Sequence, residues 1–225
     1  VVLRHCEWFF SAYVQVLIYL GRMIINDQSI AFLTNQDPIF QQILDLYGTP
    51  PNWQRAQGFE TLCHIILEQQ VSLESALSAF NKLKDFLPAF TPTEMLKLTD
   101  EELRACYISR QKTKYLRALS EATLDGSLDF EGLNELDVPQ LYEQLTAIKG
   151  IGNWTAEVYM VFCLQKEDLF LPGDIAAVNT VKELKGAKDK FEAEEIAKAW
   201  SPYRSAAVFF LWYYYLKKRG RKIIM

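Results

Sequence analysis

Two short stretches of this sequence hold residue types whose spacing suggests chemistry. The first is Leu145-Thr-Ala-Ile-Lys-Gly-Ile-Gly-Asn-Trp-Thr-Ala156. Gly150 and Gly152 read as a hairpin too tight for side chains, set between one helix that ends near Leu145 and another that opens at Asn153 or Trp154. Such a helix-hairpin-helix aims unpaired backbone N–H groups, at the positive end of a helix dipole, toward an anion. A DNA phosphate fills that role without any sequence-specific side chain. An ordinary interhelical turn needs one residue of positive φ, whereas Gly-x-Gly ahead of a helix start keeps two side chains away from an approaching surface. The hairpin residues expected to face DNA are Lys149, Gly150, Gly152, Asn153 and Thr155. The carbonyls of Thr146, Ile148 and Gly150 are the candidate ligands of a structural monovalent cation, Na+ or K+, bridging protein and phosphate.

The second stretch is Leu171-Pro-Gly-Asp174. Asp174 has a plain structural reading as the N-cap of a helix over residues 175–184. Capping does not exclude chemistry, because the dipole at that position favours a negative charge. A helix over residues 153–164 carries the chain roughly 18 Å from the hairpin at about 1.5 Å per residue. Residues 165–173 span at most about 30 Å, so Asp174 is able to return to the hairpin end. A carboxylate delivered beside a bound sugar-phosphate backbone suggests chemistry at the sugar, with charge placed where charge develops.

The elements that must position these groups are helical. Asp37-Pro38 opens a helix that Gly48 stops, with Asp as cap and Pro in the first turn. Apolar residues 59, 62, 63, 66 and 67 form one face of a helix over 59–70, and 73, 76, 77, 80 and 83 do the same over 72–86. Thr99-Asp-Glu-Glu102 and Asp137-Val-Pro-Gln140 have capping-box spacing. Residues 109–124 and 192–200 are amphipathic. Ser201-Pro202 is expected to cap a last helix that ends in Lys217-Lys218-Arg219 before Gly220. No alternating strand pattern appears between Asp27 and Gly220, so the expected class is all-α, with about ten helices. No repeat or long linker divides them.

Composition bounds the function classes. With 225 residues, 14 Phe, 11 Tyr and 5 Trp, the chain has material for one substantial core or two small ones. Cys6, Cys63, Cys106 and Cys163 are widely separated, without the spacing that holds zinc or an iron–sulfur centre, and read as reduced thiols of a cytoplasmic protein. A net charge of −4 favours a few local phosphate contacts over an extended electrostatic grip. The apolar run from Trp8 to Leu20 is short of the roughly 20 residues a membrane span requires, so no membrane role is expected. The first methionine is Met23, and residues 1–26 read as an N-terminal extension ahead of a domain over 27–225, with a docked extra helix as the alternative.

Five ordered motifs give this chain a resemblance. They are Ile66-Leu-Glu-Gln-Gln-Val-Ser72, Ile108-Ser-Arg-Gln-Lys112, Ile148-Lys-Gly-Ile-Gly-Asn-Trp-Thr-Ala156, Asp168-Leu-Phe-Leu-Pro-Gly-Asp174 and Trp200-Ser-Pro-Tyr-Arg-Ser205. Together they resemble the helix-hairpin-helix DNA glycosylase superfamily, and within it the short bacterial and yeast-type 3-methyladenine DNA glycosylases, from about Asp37 to Lys217. The resemblance implies a two-lobed helical fold with a cleft between the lobes and a Gly-Pro-Asp-type loop that carries the catalytic aspartate, here Asp174. It implies base flipping into the cleft and excision of alkylated purines from double-stranded DNA by a monomer that requires no cofactor, leaving an abasic site. If the source is bacterial, the enzyme would be nucleoid-associated.

In family members that also cleave the strand, a lysine two residues after the second hairpin glycine forms a Schiff base. This chain has Trp154 there, and no lyase activity is expected. Trp154 and Trp212 match positions that line the base pocket, where an indole face suits a cationic alkylated purine. Gln69 and Gln70 match the segment that fills the hole left by the flipped nucleotide. Lys112 and Arg110 are placed within reach of a phosphate, and His64 is read as a packed core residue. The competing readings are a non-catalytic helix-hairpin-helix DNA-binding protein and a glycosylase/lyase for oxidised bases.

Overall fold

The computed structural model describes residues 23–221. Among them are twelve α-helices and two short 3-10 turns, with no strand. In chain order we label the helices α1 Asp27–Gln36, α2 Pro38–Tyr47, α3 Phe59–Glu68, α4 Leu73–Phe86, α5 Pro92–Lys97, α6 Asp100–Ala105 and α7 Arg110–Leu124. They continue as α8 Val138–Thr146, α9 Asn153–Phe162, α10 Ile175–Lys185, α11 Lys190–Ala197 and α12 Arg204–Lys218.

Side-chain caps set most of these boundaries. Asp37 accepts from the Ile39 N–H with Pro38 in the first turn of α2, and Gly48 closes that helix at φ 79°. Thr99 and Asp137 form the two expected capping boxes at α6 and α8. A third box, at Asn26 and Ser29, starts α1. The capping expected of Ser201-Pro202 is not found. That bond is cis, α12 begins only at Arg204, and its N-cap Tyr203 makes no side-chain cap bond. Ser201 instead donates its hydroxyl to Asp168 at 2.8 Å.

The helices form two groups. The middle of the chain, α3 to α9, makes one lobe, in which α7 packs on α3, α5 and α6, while α9 packs on α3 and α8. The two ends make the other, with α12 packed on α2 and α10 and α1 on α2. Trp53, in the connection between α2 and α3, ties the lobes by packing edge-on against Phe209 and Trp212 of α12. One contiguous apolar core runs through both lobes. It includes Ile24 and Ile25, so the packed domain reaches back slightly beyond Asp27. Residues 1–22, on which the N-terminal extension and any role for His5 or Cys6 depend, lie outside the described residues. No helix among the described residues is long and apolar enough to cross a membrane.

Candidate active site

The hairpin between α8 and α9 turns at Gly150, for two independent reasons. Its φ is 97°, and a Cβ there would lie 2.1 Å from Cγ of Tyr115 on α7. Gly152 is different. Its backbone is extended, with φ −95°, and nothing lies within 4 Å of where its Cβ would be. The expectation that the hairpin is too tight at both glycines therefore holds only at Gly150. Gly152 is exposed, so a side chain there would meet only an incoming partner. Gly152 is the N-cap of α9 and offers no side chain to the first-turn N–H groups of Asn153, Trp154 and Thr155, which leaves a helix N-terminus open to an anion. Asn153 and Lys149 are exposed beside it.

Several residues expected on DNA are occupied within the protein instead. Thr155 is 2 % exposed, and its hydroxyl oxygen accepts from Nε2 of Gln69 at 2.9 Å. The same Gln69 amide donates to the Gly150 carbonyl at 2.8 Å, so Gln69 clamps the end of α3 to the hairpin and does not project. Gln70 is the projecting residue, exposed and held at φ 57°. Lys112 turns its ammonium to the Leu67 carbonyl at 2.6 Å, an acceptor at the negative end of α3, and burial pushes its pKa down. Arg110 is exposed at the start of α7. The expected cation site is partly engaged within the protein. Two of its three carbonyls already accept hydrogen bonds, Gly150 from Gln69 and Ile148 from the Ile151 N–H at 3.0 Å. His64 is half-buried and stacked on Phe80 at 4.2 Å. Cys63, Cys106 and Cys163 are free and buried.

Asp174 is delivered to the hairpin end by a pinned loop. Asp168 pairs with Arg204 at 2.7 Å, and the Leu169 N–H donates to the Ser205 hydroxyl at 3.1 Å. The loop is thereby bound to the start of α12, which joins two of the five sequence motifs into one junction. Leu171-Pro172-Gly173-Asp174 then closes a turn through the Asp174 N–H and the Leu171 carbonyl at 3.0 Å. Gly173 lets the chain lie against Trp154, since a Cβ there would stand 3.3 Å from Cβ of Trp154.

Asp174 caps α10 as expected, accepting from the Ala177 N–H at 2.8 Å. It also accepts two indole bonds that its sequence position did not reveal. Trp212 Nε1 donates to Oδ1 at 2.8 Å, and Trp154 Nε1 donates to Oδ2 at 3.1 Å. The two tryptophans therefore hold the carboxylate as well as line the cleft around it. Trp212 is in turn stacked on Phe162, with centroids 5.0 Å apart and 19° between planes.

The cleft measures about 1330 Å³ and is lined by the hairpin, both indoles, Asp174, Gln70 and Tyr107. Its wall also holds a pair that the sequence did not single out, Arg55 and Glu68. They make a bidentate bond, Nη1 to Oε2 at 3.0 Å and Nη2 to Oε1 at 2.8 Å, and the guanidinium lies 5.1 Å from the centre of the Phe162 ring. An acidic residue directly after the apolar run Ile65-Ile66-Leu67, at the end of α3, was the available signal. Among the described residues, no group of three or more His, Cys, Asp or Glu is placed to hold a metal ion.

Residues 63–204 match the family described as HhH-GPD superfamily base excision DNA repair protein. DNA-3-methyladenine glycosylase 1 of Schizosaccharomyces pombe is 29% identical over 192 residues, which cover 80% of this chain and 83% of that protein. The fold superimposes on the solved structure of the S. pombe 3-methyladenine DNA glycosylase Mag1 in complex with abasic DNA with a TM-score of 0.77 and 28% identity, covering 82% of this chain and 95% of that one. A DNA-3-methyladenine glycosidase from Bacillus halodurans gives a TM-score of 0.72 and 30% identity, covering 87% and 92%.

Proposed function

Starting from the fact that this chain belongs to the HhH-GPD superfamily of base excision DNA repair proteins, we propose that it is a monofunctional DNA N-glycosylase for alkylated purines of the 3-methyladenine type. The observation that carries the reading is the position of Asp174. A buried carboxylate, fixed by a helix N-terminus and two indole N–H groups, faces a cleft whose rim is an open helix N-terminus suited to phosphate. Its similarity to the DNA-3-methyladenine glycosylase of S. pombe and the DNA-3-methyladenine glycosidase of Bacillus halodurans supports the substrate class.

The geometry performs this chemistry with the chain's own residues. The amides of the α9 N-terminus hold the backbone by a phosphate, and Gln70 enters the space a flipped nucleotide leaves. The extruded base enters among the aromatic groups of the cleft, where attraction to an indole face grows when alkylation makes the base cationic. Such a base is already a good leaving group. Asp174 stabilises the positive charge that develops at the sugar as the N-glycosidic bond breaks, or orients the water that attacks the anomeric carbon. A free base and an abasic site with the strand intact are the products. With Trp154 at the position where a lysine would be the nucleophile, no covalent enzyme–DNA imine forms. The proposal also makes the chain a cytoplasmic monomer that works on damaged double-stranded DNA and requires no cofactor.

The test is to incubate methylated genomic DNA with the protein, identify released bases by mass spectrometry and add borohydride in parallel. Release of 3-methyladenine without a trapped adduct is the expected result. DNA binding with no base release would make the chain a binding module, and an efficient adduct would make it a lyase.

A further inference from the structure

We propose that Arg55, locked by Glu68, is a specificity-determining residue of this cleft and reads the O6 and N7 edge of a flipped 6-oxopurine such as hypoxanthine. The inference rests on the cleft being a base pocket and names the residue that discriminates among the bases entering it. The Glu68 side chain is only 6% exposed, a carboxylate that is kept inside the wall by its bidentate bond to Arg55. The Arg55 backbone N–H donates to the Phe162 carbonyl at 3.0 Å, and its guanidinium rests against the Phe162 ring. Side chain and backbone are therefore both fixed on the residue that stacks against Trp212, the indole that holds Asp174. The Arg55 side chain keeps 17% of its surface exposed, in the cleft.

A guanidinium has five N–H donors in a rigid fork, and the bond to Glu68 uses one on each terminal nitrogen. The donors that remain match paired acceptors. On a purine these are O6 and N7, the edge that arginine reads bidentately in guanine. Hypoxanthine presents both acceptors. 7-Methylguanine keeps O6 but has N7 blocked. 3-Methyladenine presents an amino donor at position 6, which opposes the guanidinium. Glu68 cancels the charge of Arg55, so a cationic base still enters, held by stacking alone. A pair that served only to brace the lobes would have no reason to discriminate among these bases.

Single-turnover base release from hypoxanthine duplexes and from 3-methyladenine-containing DNA tests the proposal, with binding to an abasic duplex as the measure of intact fold and backbone contacts. Arg55→Lys keeps the charge and loses the fork. It is expected to lower the ratio of hypoxanthine release to 3-methyladenine release by about tenfold to a hundredfold, the scale of one bidentate base contact, with abasic-DNA binding retained. The double variant R55Q/E68Q leaves no buried carboxylate alone and should show the same lesion pattern. In the wild type, free hypoxanthine should inhibit 3-methyladenine release about tenfold better than 7-deazahypoxanthine, a comparison that needs no variant. Equal losses on both lesions, or equal inhibition by the two free bases, would overturn the assignment. So would a wild type that releases 3-methyladenine but no hypoxanthine. A wild type that binds DNA and releases neither base would instead overturn the glycosylase reading on which the proposal stands.

Discussion

At the scale of single residues, the site is organised by who donates to Asp174. Trp154 and Trp212 have the right residue type to stack on a purine, and their place at the cleft was legible in the sequence. The direction of their N–H groups was not, because it depends on the pinned loop that brings Asp174 between them. Replacing either indole by phenylalanine keeps an aromatic wall and removes one hydrogen bond to the carboxylate. A hydrogen bond to a charged group is worth about 1.5–3 kcal/mol, so W154F and W212F should each slow base release by about tenfold or more in single-turnover assays, with abasic-DNA binding retained. Wild-type rates in both variants would reduce the indoles to stacking surfaces. Gln69, Thr155 and Lys112 show the opposite limit of sequence reading. Each has a side chain suited to nucleic acid, yet the packing of α3 against the hairpin and α7 uses each of them internally.

At the scale of elements, caps were the readable signal. Asp37-Pro38, Thr99, Ser109, Asp137 and Asp174 mark helix starts because each satisfies an orphan N–H locally, whatever the tertiary setting. Pro92–Lys97 is too short for a 3.6-residue pattern to show, and the start of α12 is fixed by the distant Asp168. The hairpin supplies a prediction at this scale, since its two glycines serve different ends. Gly150→Ala would have to adopt φ 97° and drive its Cβ into Tyr115, so it should lower the melting temperature, at a cost of about 1–3 kcal/mol or more. Gly152→Val has no protein atom within 4 Å of its Cβ, and should lose at most about 1 kcal/mol of stability, the N-cap preference, while losing affinity for damaged and undamaged duplexes alike. Normal DNA affinity in a folded Gly152→Val protein would remove this part of the hairpin from the interface.

At the scale of the whole molecule, the two-lobed helical fold was legible through its motifs, but the way the lobes share charge was not. Glu157 on α9 shows why. It is 3% exposed, accepts from the Tyr142 hydroxyl at 2.8 Å through one oxygen and has no partner for the other. Burial raises its pKa to about 7 against the opposing Tyr142 bond, and the nearby Glu194 and Asp174 add to the rise. A carboxyl whose folded pKa lies above its unfolded value binds its proton more tightly in the folded state. Its contribution is fully present below the unfolded value and is lost as pH rises to about 7. Glu157→Gln should therefore be more stable than wild type at pH 8, by about 1–3 kcal/mol, with the difference shrinking toward pH 5 in thermal melts. A difference that does not vary with pH would place the proton elsewhere. The central claim is narrower than the fold and falls on Asp174, whose replacement by asparagine is nearly isosteric and able to keep the cap to Ala177. The deciding measurement is single-turnover release of 3-methyladenine by Asp174→Asn, alongside binding to the damaged duplex. The account predicts a loss of roughly 10²-fold or more in release with binding retained. Near-normal release by a well-folded Asp174→Asn protein would contradict it and leave Asp174 a helix cap.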